Sequence, residues 1–292
     1  MKSETTLRRE GIEVIKPFDT LKVNIIAKRI ADRLCAAFPE HGFVLDELFA
    51  TLARLNMYSA KMPDSLAGAK YFYKTQSIYF NADFPLENCL SFATHECIHH
   101  LQEILDHKGN LIRLGLYDLK SDSGMAFNEA TVQLMTAEAN HESMVDVKYY
   151  GLDMKTVSPT YYPLECVLMR QIAYFTGTYP LYHSALYGDD LFQNTFCAYS
   201  DRKTFYWVQK KLDEMLWLES ELDHAITFLQ TAELSIAKSK QVYHDIENIK
   251  KKISNLFIEV QNKIIAVCFS TEFARIKNLE RCKRVSKTSL QI

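Results

Sequence analysis

The sequence predicts an α+β protein, predominantly α-helical, with a small β-sheet or hairpin placed ahead of its most distinctive motif. Three observations carry that expectation. Glycine and proline are few, 9 and 7 in 292 residues, while Leu, Ala, Lys and Glu are frequent, which favours helix over sheet. Apolar residues recur at helical spacing along most of the chain. Around residues 70–81 the period shortens to that of strands. A chain of 292 residues exceeds what one small core needs. The expected division is residues 1–150 as the core carrying the motif, and residues 151–292 as a helical region that completes the cleft and ends in long paired helices.

The elements follow in order. Ile12-Glu13-Val14-Ile15 is a short β-like piece ended by Pro17. Asp19 or Thr20 caps a helix through Leu21, Ile25, Ile26, Ile30 and Leu34, stopped by Pro39 and Gly42. A second helix is expected from about Val44 to Met57. Lys70–Lys74 and Ser77–Asn81 read as two strands around a tight turn at Thr75-Gln76. Such a pair is either a small structural hairpin or an edge strand able to hold an extended peptide by its backbone. After the break at Asn81–Pro85, a helix is expected from about Leu86 to His107, closed by Gly109. Residues 110–124 read as a linker, residues 125–139 as helix, and residues 141–159 as irregular. Helix resumes near Tyr161 and continues in short pieces around Tyr182–Tyr187 and Leu191–Tyr199. From Arg202 no Gly or Pro occurs, so a long, antiparallel helical pair is expected, with apolar stripes that serve intramolecular packing or a homodimer. The basic tail from Arg275 to Lys287 reads as a solvated end.

Composition narrows the function classes. A formal charge of -2 makes no case for nucleic acid or an anionic membrane as partner. No apolar run reaches membrane-spanning length. Seven scattered cysteines without a CxxC pair argue against a disulfide framework and for a reducing compartment. The polar N-terminus lacks an apolar signal segment. The expectation is a cytoplasmic protein.

The motif is His95-Glu96-Cys97-Ile98-His99, an H-E-x-x-H on a patterned helix. Positions i and i+4 share a helix face, so both imidazoles can address one ion, while Glu96 projects beside them. A catalytic zinc site needs three protein ligands and one open position. Glu129, on the next helix, is a third donor; Glu103, Glu138 and His141 are alternatives.

This pattern resembles the gluzincin, or thermolysin-like, zinc metallopeptidases over roughly residues 70–140. The resemblance implies a zincin-like catalytic core binding Zn2+ through His95, His99 and Glu129. It implies Glu96 as general base for a metal-activated water that hydrolyses peptide bonds, with a peptide or protein as substrate. Asn128 stands where the family often carries Asn before the third ligand. Gln133 replaces the Asp that orients the first histidine in the family; its carbonyl can accept an imidazole N–H without adding charge. No further histidine follows at the spacing of a three-histidine site. Related enzymes recruit a downstream Tyr or His for the oxyanion. Tyr161 and Tyr162 are the first candidates, ahead of Tyr182 and His183. Two alternatives stand beside the peptidase: a gluzincin-like regulator that binds a partner with little turnover, and a helical interaction protein with a degenerate motif.

Overall fold

A computed structural model describes residues 7, 11–63, 68–232 and 235–288, the side chains of residues 86 and 273–288 excepted. The expected α+β, mainly helical architecture is present. The first elements are β1 (Glu13–Pro17), α1 (Thr20–Ala37), α2 (Leu45–Leu52) and β2 (Asn56–Lys61). Asp19 caps α1 by accepting from the Lys22 N–H at 2.8 Å. The helix expected to reach Met57 stops at Leu52. The chain then turns into β2, whose Met57 and Ala60 are buried.

β3 (Ala69–Phe72) and β4 (Ser77–Asn81) form the expected antiparallel hairpin. Its turn is longer than a two-residue loop: one 3₁₀ turn at Tyr73–Thr75 ends on a left-handed Gln76. The sheet order is β1-β2-β4-β3, with β4 parallel to β2 and buried along its whole length. β3 is therefore an edge strand, and its open side lies against the following helix, α3 (Leu86–Leu101).

α3 ends well short of His107. Glu103–Leu105 is β5, paired with β6 (Leu111–Leu114), which pairs in turn with β7 (Tyr117–Asp118). Gly109 closes the β5–β6 turn rather than a helix. Its N–H donates to Asp106 O, while Asp106 Oδ1 accepts from the Lys108 and Asn110 N–H groups. The segment expected as a linker thus forms two of three strands. α4 (Met125–Ala139) has the expected bounds.

The stretch expected to be irregular is a hairpin, β8 (Val145–Tyr149) and β9 (Leu152–Thr156). Its two strands alternate apolar and charged residues, Tyr149, Leu152 and Met154 turned to the core and Asp146–Lys155 (3.5 Å) and Lys148–Asp153 (3.7 Å) paired across the outer face, a period-2 signal that the sequence carries and the expectation of irregular chain passed over. α5 (Pro163–Thr176), α6 (Thr178–Tyr187), α7 (Leu191–Tyr199), α8 (Arg202–Thr231) and α9 (Ile236–Thr288) complete the chain. α8 and α9 pack on each other, and α9 also lies on α5 and α7, so their apolar stripes are used within the chain. One hydrophobic core runs from Val23 in α1 to Cys268 in α9, through elements on both sides of residue 150. No helix among the described residues is long and apolar enough to cross a membrane. The side chains of the basic tail lie outside the described residues.

Candidate metal centre

α3 and α4 pack side by side and supply the donors. His95 and His99 share a face of α3, and Glu129 comes from the first turns of α4. The two Nε2 atoms are 3.0 Å apart, and each lies 3.5 Å from an oxygen of Glu129. A tetrahedral ion with ligand bonds of about 2.0–2.1 Å spaces its ligand atoms about 3.3–3.4 Å apart. The observed triangle brackets that value. His95, His99 and Glu129 can therefore hold a metal ion.

The far nitrogens explain why both Nε2 atoms face inward. Gln133 Oε1 lies 3.0 Å from His95 Nδ1, and Gln102 Oε1 lies 3.3 Å from His99 Nδ1. An amide oxygen only accepts, so each Nδ1 carries its proton and each Nε2 keeps a free lone pair. Gln133 is thus where the motif places it, four residues beyond Glu129. Gln102 lies on the histidines' side of the helix, three residues after His99, a placement the sequence shows without assigning it this role.

Glu129 is half-buried between α3 and α4. Burial alone would raise its carboxyl, but His99 and His95 outweigh burial and hold it well below the usual carboxylate range. Burial alone would depress His99, yet the Glu129 charge reverses the sign and raises it. Asn128 does not touch the ligands. Its Oδ1 accepts from the Leu116 N–H at 3.1 Å and fixes the β6–β7 turn beside Gln102. In that turn Gly115 has φ of 55°, and a Cβ there would lie 2.4 Å from Asn128 Oδ1, 2.6 Å from Ala185 O and 2.7 Å from Gln102 Nε2.

Glu96 projects from α3 toward β3, where its Oε2 accepts from the Tyr71 backbone N–H at 2.8 Å. Of the two tyrosines read as oxyanion candidates, the fold brings in one. Tyr162 caps α5 in a left-handed conformation, φ 51°, its ring stacks 6.5 Å from that of His95, and its phenol lies within reach of the Glu129 charge. The Glu129 charge, then burial, hold its phenol well above the usual tyrosine range. Tyr161 turns the other way and packs edge-on against Phe92, centroids 5.5 Å apart. Consecutive residues on a tight turn point apart, so both could not enter.

The remaining candidates are engaged elsewhere. Glu138 accepts from the Tyr182 hydroxyl at 3.1 Å, Glu103 accepts from the Tyr71 hydroxyl, and His183 pairs with Asp189 at 2.9 Å. His141 is exposed past the end of α4. Asp213 of α8 is a support that no local pattern announces. It caps α4 by accepting from the Gly124 and Ala126 N–H groups at 2.8 and 2.9 Å.

No protein-family model, curated protein or solved structure matches this chain.

Proposed function

We propose that this protein is a zinc-dependent metallopeptidase with a zincin-like core, acting on a peptide or protein substrate. The observation that carries the reading is the joint placement of the His95–His99–Glu129 triangle, the Glu96 carboxylate on the same helix and the Tyr162 ring stacked beside His95. Two imidazoles and one carboxylate are the donor set of a zinc site that keeps a position open for chemistry. When bound there, the ion supplies Lewis acidity and makes water a nucleophile at neutral pH.

The chain's own residues do the rest. Glu96 takes the proton of the attacking water and returns it to the leaving amine. Tyr162 offers a hydroxyl donor to the developing oxyanion, and its raised pKa keeps that proton in place. Gln133 and Gln102 hold the imidazoles in the ligating tautomer. The six described cysteines are free thiols, which suits the cytoplasm as the working compartment.

The test is metal content with activity. Protein purified without chelator is expected to carry about one zinc per chain. Glu96→Gln keeps that zinc and loses peptide hydrolysis by a factor of about 10²–10⁴. A chain that takes up no zinc on titration, or a Glu96→Gln variant as active as wild type, ends this reading.

A further inference from the structure

Tyr71 engages the motif helix twice. In the β3–β4 ladder the Asn81 N–H donates to Gly68 O, so the alternation of an antiparallel pair puts Lys70–Tyr79 in the bonded register and Tyr71–Ile78 in the unbonded one. The Tyr71 N–H therefore points away from β4, and it donates to Glu96 Oε2 at 2.8 Å. Its side chain reaches the next turn of the same helix. The phenol donates to Glu103 Oε1 at 2.5 Å, and its oxygen lies 2.8 Å from His100 Nδ1. A carboxylate only accepts, so the hydroxyl's proton goes to Glu103 and its lone pair receives the His100 N–H. Glu96, His100 and Glu103 stand at i, i+4 and i+7, one face of α3 carried into the start of β5.

We propose that Tyr71 is the positioning residue for Glu96: its N–H sets the carboxylate, and its hydroxyl, locked between His100 and Glu103, fixes that N–H relative to α3. A four-residue edge strand bonded on one side only has little else to hold its outer face in register. The hydroxyl supplies the missing anchor about one helical turn from the group it positions. The catalytic consequence rests on the peptidase reading; the geometric part does not.

The test uses the full zinc-loaded chain and the variants Tyr71→Phe, Glu103→Ala, Glu103→Gln and Glu96→Ala. Phenylalanine keeps the ring and the N–H but loses both hydroxyl bonds, and glutamine keeps an acceptor for the phenol. Amide exchange at residue 71, followed by NMR, is expected to quicken about tenfold in Tyr71→Phe, Glu103→Ala and Glu96→Ala, the loss of one hydrogen bond, and to stay near wild type in Glu103→Gln. On a peptide that wild type cleaves, Tyr71→Phe is expected to lower kcat about 10²-fold with KM within about twofold, because the base is displaced while substrate contacts remain. Unchanged exchange at residue 71 overturns the proposal. So does loss of zinc, or equal quickening across β2 and β4, since either makes the role purely structural. If wild type cleaves no peptide, the peptidase reading falls and the exchange arm alone decides whether Tyr71 fixes Glu96.

Discussion

Two glutamines set the ligating geometry with neutral amides. Gln133→Ala removes the acceptor on His95 Nδ1 and is expected to weaken metal binding about 10–100-fold in competition with a chromophoric chelator. A second residue-scale effect lies behind Tyr162, where Glu165 of α5 is fully buried against Glu219 of α8. Burial pushes the Glu165 carboxyl up to about 7. The folded state then holds a proton that the unfolded chain releases above its ordinary range, so stability contributed by the protonated form is full below pH ~4.5 and is lost as pH rises to about 7. Glu165→Gln cannot ionise. It is expected to be more stable than wild type at pH 8, by up to about 3 kcal/mol, and to match it near pH 4.5 in urea unfolding. At this scale the sequence was legible wherever a helix repeat decides neighbours: His95 with His99, and Glu129 with Gln133. It could not separate Tyr161 from Tyr162, because a left-handed backbone angle at residue 162 makes that choice and no side chain encodes it.

Elements were legible where one face is apolar and no turn competes. α1 and the α8–α9 pair follow their stripes. Where a helix was read too long, local turn chemistry overrode the helical period. At Asp106–Asn110, side-chain acceptors close a hairpin that a longer helix would have left unformed. The three-stranded sheet that results matters to the site, because its Gly115 turn packs onto Gln102 and Asn128. Gly115→Ala adds a methyl with no room and forces a left-handed residue to carry it. The expected outcome is a loss of more than about 2 kcal/mol in denaturant unfolding, with weaker metal binding as Gln102 is pushed from His99. Metal affinity unchanged in a folded Gly115→Ala chain would show that the turn does not support His99.

The whole molecule enters the site through distant supports. Asp213, 84 residues beyond Glu129, caps the helix that carries it. Asp213→Ala is expected to cost about 1–2 kcal/mol and to lower metal affinity, read by the shift in Tm with and without zinc. Such long-range pairs have no signature in a single sequence, which is why the long helices from Arg202 onward read as packing surface alone. The backbone at Tyr162 couples completion of the fold to completion of the site. A bulky residue held at φ 51° costs about 1–3 kcal/mol, and the following Pro163 disfavours the right-handed alternative, so the relaxed form is extended. Packing of Tyr162 and α5 on the core holds it in place. The phenol stands beside the three ligands only when α5, the first helix of the second half, is packed on the shared core. One strained backbone angle thus ties the chemistry of the site to the packing of helices far along the chain.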